Sequence, residues 1–191
     1  ISSLAFQPDF VWLKGRSQSN VSHQLYDSVR GVSTILQTDN TGNEFTVSGV
    51  SAFNSNGFTL GNNGGGNNSG STYVAWAWKA GGAASSNSDG SITSSVSANA
   101  SYGFSIVSYN SGSSTGNYTL GRGLSSAPKF IIHKSRSTGN WWVFHSSVID
   151  DTAKYLQLNS GNAIATNSAP MWGASLPTSS VFGVRVGDLI G

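Results

Sequence analysis

The sequence has no cysteine, one methionine, one glutamate and four prolines in 191 residues, and only 9% of it is charged. The absence of cysteine excludes disulfides, thiolate metal sites and cysteine nucleophiles, and leaves the redox compartment open. Helix formers such as Glu, Lys, Leu and Met are scarce, which argues against a helical bundle. No apolar stretch approaches the roughly 20 residues that a membrane-spanning helix needs, so membrane insertion is not expected. The start of the chain lacks the charged and apolar segments of a signal peptide. Ten basic and eight acidic residues leave a net charge of +2. The basic residues are scattered rather than gathered into a stripe, so nucleic acid is not an expected partner.

Ser, Thr, Asn and Gly make up nearly half of the chain, yet 11% is aromatic, with six Trp. Disordered chains are poor in aromatics, so this composition predicts a folded protein. The fold class it predicts is all-β, with polar, uncharged loops. Phe10 to Leu13 and Phe130 to His133 are short apolar runs that read as buried strands. Tyr73 to Trp78 and Phe104 to Tyr109 alternate large with small residues, the period of a strand. Ile92, Val96, Leu120, Val143, Tyr155 and Val184 seed further strands. Gly61 to Gly70, Asp89-Gly90 and Ser111 to Gly116 supply loop and turn chemistry. Many short strands so punctuated suggest an antiparallel sandwich or barrel.

An internal repeat organises these segments. Pro8-Asp9-Phe10-Val11-Trp12-Leu13-Lys14-Gly15-Arg16-Ser17 has a counterpart in Pro128-Lys129-Phe130-Ile131-Ile132-His133-Lys134-Ser135-Arg136-Ser137. Leu25-Tyr26-Asp27-Ser28 parallels Val143-Phe144-His145-Ser146, and Ile35-Leu36-Gln37 parallels Tyr155-Leu156-Gln157. Phe53 and Phe58 parallel Trp172 and Phe182. The matches fall on apolar positions rather than on the abundant Ser and Gly, and they point to two tandem modules from a duplication. The expected division is a first module over 1–82 lacking its opening strand, a Gly-Ala-Ser-Asn linker over 83–102, and a second module over 103–191 lacking its final strand. A chain cut in this way reads as a segment of a longer polypeptide.

Sites for catalysis are sparse. Glycoside hydrolysis normally needs two carboxylates, and Glu44 is the only Glu, in a turn-like segment. Asp150-Asp151 reads as a turn. The histidines are His23, His133 and His145, and no Gly-x-Ser-x-Gly elbow precedes a helix. Asp39 to Glu44 is dense in oxygen ligands without the spacing of an EF-hand loop, which leaves Asp39 and Glu44 as a weak calcium candidate and no other cofactor. Aromatics are the stronger candidates, because Trp and Tyr offer flat apolar faces with a polar edge. Trp76 and Trp78 share one face of a strand, expected to be the inner one. One of the neighbours Trp141 and Trp142 must point away from the core unless both faces of the strand are covered. That residue, flanked by Asn140 and His145, is the expected ligand-binding site.

Phe6-Gln7-Pro8-Asp9-Phe10-Val11-Trp12-Leu13-Lys14, His23 to Gly31, Phe53 to Gly61 and Tyr73 to Gly82, in that order, resemble a module of the repetitive tail-fibre and other virion proteins of marine and cyanobacterial phages. Gly103-Phe104-Ser105-Ile106-Val107 and Gly121 to Lys129 resemble the opening of the next such module. The resemblance implies a jelly-roll sandwich similar to concanavalin A and a place on the phage particle, outside the cell. It also implies attachment to host-surface glycan, contacts with other virion proteins and a homo-oligomer, a trimer foremost. It carries over no catalytic residues, and a non-enzyme is expected. The rival readings are a polysaccharide-degrading enzyme domain and a purely structural spacer or capsid-decorating protein.

Overall fold

The computed structural model describes residues 1–62, 65–111 and 114–187. The expected loops at Gly61 to Gly70 and Ser111 to Gly116, and the end of the second module, fall partly outside the described residues. The described chain is all-β, without helix. Its first half holds β1 (Phe10–Gly15), β2 (Gln24–Asp27), β3 (Gly31–Gln37), β4 (Phe45–Thr46), β5 (Val50–Asn54), β6 (Gly57–Leu60) and β7 (Tyr73–Trp78). Next come β8 (Ser85–Asn87), β9 (Ser94–Asn99) and β10 (Phe104–Tyr109). The remainder holds β11 (Gly116–Gly121), β12 (Phe130–Lys134), β13 (Trp141–His145), β14 (Lys154–Gln157), β15 (Ala165–Thr166) and β16 (Val181–Val186).

Two sheets dominate, in the orders β4-β3-β2-β1-β7 and β12-β13-β14-β15, and the pairings between the described strands are antiparallel. Their registers coincide along the repeat. Phe10 faces Asp27 and Leu13 faces Gln24, as Phe130 faces His145 and His133 faces Trp142. Leu25 faces Leu36 as Val143 faces Leu156. Thr34 faces Thr46 as Lys154 faces Thr166. Even the pairing beyond these sheets is echoed: Ile1 and Phe58 exchange backbone hydrogen bonds where Leu120 faces Phe182.

The core is layered and sandwich-like. One face of the first sheet sends Val11, Tyr26 and Ile35 against Val50 and Phe58 of the β5–β6 hairpin. Gly49 sits against the Tyr26 ring and hydroxyl, where a Cβ would collide, so the close approach requires glycine. The opposite face sends Leu25 and Leu36, with Phe10, against Trp141, Ile132 and Leu158 of the second sheet. The far face of that second sheet packs Trp142 and Phe144 on Ile149, Met171 and Trp172. Leu120, Phe182 and Val184 close the end near β10.

Three expectations are corrected. Residues 83–102 do not form a plain linker: they contain β8 and β9, which pair with β10 into a three-stranded sheet. The β9–β10 turn closes through Gly103, whose φ of +64° is a left-handed conformation that glycine adopts freely. The two halves are not beads on a string, because they share the Leu25–Leu36–Trp141 cluster. Backbone bonds also cross between them, Glu44 N to Arg136 O and Gly139 N to Thr41 O, both at 2.9 Å. Finally, neither Trp141 nor Trp142 is exposed, at 3% and 4%. Both faces of β13 are covered, the condition under which adjacent tryptophans can both be buried.

Candidate functional aromatic face

The expected cluster around β13 is not assembled. Asn140 and His145 stand at opposite ends of that strand, about 17 Å apart at 3.4 Å per residue. Asn140 Oδ1 accepts from Asn159 Nδ2 at 3.0 Å, and His145 Nδ1 accepts from the Ser147 N–H at 3.2 Å. The Trp141 indole N–H donates to Gln37 O at 2.9 Å, across to the first half. Trp172 is also buried and donates to Lys154 O at 2.9 Å.

The proposed calcium ligands are separated by chemistry. Asp39 is exposed, while the Glu44 carboxylate accepts from Arg136 Nε at 2.7 Å and lies 3.6 Å from the Arg30 guanidinium. Burial works to raise the Glu44 carboxyl, but the Arg136 hydrogen bond and the two guanidinium charges hold it below its ordinary range. Two guanidiniums already meet the charge of that carboxylate. Among the described residues no group of three or more His, Cys, Asp or Glu side chains could hold a metal ion.

The exposed aromatics lie on the first sheet instead. In β7 the alternation turns Ala77 toward the core and leaves Trp76 and Trp78 on the other face, at 45% and 37% exposure. The shared face was legible from the period of two, but it is outward rather than inner. β7 is an edge strand, and the second sheet covers this face over β2, β3 and Phe10 of β1. Each Trp is braced by a directly opposed aromatic of β1. Trp12 meets Trp76 with ring centres 6.1 Å apart at 69°, and Phe10 meets Trp78 at 5.2 Å and 78°. Phe104 of β10 stacks on Trp78 at 6.2 Å and 19°. The aromatic row therefore combines β1, β7 and β10.

Polar neighbours set the orientation of this row. The Trp12 indole N–H donates to His23 Nδ1 at 3.0 Å. Burial first, and the Lys14 charge second, outweigh Asp39 and lower the His23 pKa, which favours the neutral imidazole that can accept. Asp9 Oδ2 accepts from the Ala80 and Gly82 N–H groups at 2.8 and 3.2 Å, holding the chain that leaves β7. The indole N–H groups of Trp76 and Trp78 have no partner among the described residues, in contrast to those of Trp12, Trp141 and Trp172. An exposed ring with an unpaired donor at its edge can stack and donate at once.

Over residues 1–189 the chain matches the model of a family described as a domain of unknown function, DUF7483. The chain belongs to the DUF7483 family. The matched span takes in both halves and the aromatic face. No curated protein and no solved structure matches the chain.

Proposed function

We propose that the chain is a non-catalytic recognition module of a phage virion, part of a tail fibre or related appendage, that holds host-surface glycan on the aromatic face of β1 and β7. The observation that carries the glycan reading is the pair Trp76 and Trp78, each partly exposed and each with an unpaired indole N–H. Such rings stack on the C–H face of a pyranose while the N–H donates to a hydroxyl. Contiguous exposed apolar surface of this kind commonly marks an interaction site. The low charge and the abundance of Ser, Asn and Thr suit a neutral, hydroxyl-rich ligand.

The virion placement rests on the resemblance of the motif order to that of phage tail modules. A homotrimer beside other virion proteins fits weak single sites, because repetition raises avidity without new contacts. The non-enzymatic reading is supported by the carboxylates: Glu44 and Asp27 bind guanidinium groups, and Asp9 binds backbone N–H groups. The same proposal extends to the fold, as a concanavalin-A-like jelly roll in which β1–β4 and β12–β15 arose by duplication. The coinciding registers support that descent.

Immobilised host capsular or cell-wall polysaccharide tests the function. Trp76→Ala and Trp78→Ala are each expected to weaken retention about tenfold or more, equivalent to roughly 1.4 kcal/mol, while the chain stays folded with a cooperative melting transition. Full retention by both variants would sink the glycan reading. Loss of the oligomer with retention intact would make this face a subunit contact. Release of reducing ends from the polysaccharide would establish the enzymatic rival.

A further inference from the structure

A second concave site lies away from the aromatic face, where three distant segments meet. The turn after β2 contributes Val29, β9 and β10 contribute Ser95 and Ser108, and the loop after β12 contributes Arg136. The cleft has a volume of about 300 Å³, at the low end of the roughly 300–1,000 Å³ typical of small-molecule sites. Such sites are usually lined by apolar and aromatic side chains. This one is lined mainly by hydroxyl, amide and guanidinium groups, with Thr93 and Asn110 at its margin.

The sheet beneath it explains the hydroxyl row. Ser95 faces Ser86 on one neighbour and Ser108 on the other, so three hydroxyl side chains run in register across β8, β9 and β10. Residues two apart on a strand share a face, which adds Thr93 and Asn110 to the same side. The alternate face is buried, with Ser94 and Val96 beneath. These groups both donate and accept, the property needed to replace water around a polyol.

The electrostatics select the class of ligand. Arg136 directs Nε at Glu44 Oε1 at 2.7 Å and an Nη at the same oxygen at 2.6 Å. Of the five N–H donors of a guanidinium, those two are engaged and three remain. Glu44 also faces Arg30, which pairs with Asp27 at 2.6 Å. Asp27 and Glu44 meet the charges of Arg30 and Arg136, so Arg136 offers its remaining donors to the cleft from an already paired guanidinium. Tyr109 borders the cleft from the alternate, buried face, where its hydroxyl lies 2.8 Å from His133 Nε2.

We propose that this cleft is a second ligand site that takes one neutral pyranose unit by hydrogen bonds to Ser95, Ser108, Asn110 and the free N–H groups of Arg136. It goes beyond the aromatic-face reading and stands without it. The two sites recognise different features, ring stacking at β7 and hydroxyl pattern at the cleft.

A single titration separates them. Glucose, galactose and N-acetylglucosamine are added in turn to the 15N-labelled chain while backbone amides and indole N–H resonances are followed. A lone sugar held by a few hydrogen bonds is expected to bind at about the millimolar level. Saturable shifts at the amides of Ser95, Ser108 and Asn110 with at least one sugar are expected, weakened about tenfold or more by Asn110→Ala (roughly 1.4 kcal/mol). Ser95→Tyr, which fills the cleft from an exposed position, is expected to abolish them with the fold intact in the remaining spectrum. Shifts confined to the Trp76 and Trp78 indoles would overturn the cleft and leave the aromatic face standing. No saturable shift anywhere would overturn both at the level of single sugars. Shifts at the cleft with glucuronate or inorganic phosphate alone would overturn the neutral class, making it an anion site.

Discussion

The two repeated sheets, β1–β4 and β12–β15, share register, but they solve burial differently. At the position of Leu13, paired with Gln24 in the first sheet, the second has His133, paired with Trp142. Both sites are buried. A histidine is tolerated there because β10 brings the Tyr109 hydroxyl to its Nε2. At the position of Trp12 the second sheet has Ile132, which packs in the shared cluster with Trp141. At the position of Asp9, which accepts two backbone N–H groups beyond β7, the second half has Lys129. The lesson is that one strand framework accommodates opposite surface chemistry, an aromatic face in one half and a covered one in the other. What differs is which neighbour covers which face.

The largest effect comes from setting buried tryptophans against exposed ones. Trp142→Ala is expected to cost about 3–5 kcal/mol, the usual range for truncating a core aromatic. Trp76→Ala should stay within about 1 kcal/mol, because its ring is already partly in water. Urea unfolding midpoints compare the two directly. Equal losses would mean that the aromatic face is structural and that the contrast between the halves is false.

The His133 substitution toward the first half's residue comes next. Burial first, and the Lys134 charge second, lower the His133 pKa from 6.5 to about 4. The unfolded chain therefore binds a proton at higher pH than the folded one. This contribution to stability is fully present above about pH 6.5 and is lost as the pH falls toward 4. His133→Leu is expected to flatten the acid side of a melting-temperature profile between those values, although it strands the Tyr109 hydroxyl and lowers stability at neutral pH. An unchanged acid slope would show that another group governs it.

The smallest effect concerns the ion pair joining the halves. The Arg136 side chain is half exposed, so Arg136→Ala should cost only about 0–1 kcal/mol and lose that difference at high salt. Glu44 has a lowered folded pKa, so its share is present above the ordinary carboxylate range and disappears as the pH falls through the folded value. Melting at low and high salt checks the first point. A loss of several kcal/mol would mean that the charged network is a keystone between the halves rather than a solvated strap.

Much of the strand framework was legible before any coordinates. Tyr73–Trp78 and Phe104–Tyr109 are strands with the expected ends, because large and small residues alternate along each. The matching registers of the two sheets run through Phe10, Val11, Tyr26 and Leu36, which have apolar counterparts at matching places. The strand at Ser85–Asn87 was missed, and Ser94–Asn99 was marked only by its Val96 seed. Their Ser-rich sequences carry almost no hydrophobic period, and they pair because β10 offers an edge. The candidate site was legible only in kind, as exposed tryptophan, and not in place.

Composition and period alone determined the all-β class, the positions of the apolar strands and the fact that Trp76 and Trp78 share a side. Those properties follow from local sterics and from alternation along one strand, which neighbouring residues dictate. Which side faces water was decided by the tertiary structure. The second sheet lies over Leu25 and Leu36 and buries Trp141, but leaves Trp76 at the sheet's edge uncovered. Burial depends on what packs against a face from far along the chain, and no period within a strand encodes that.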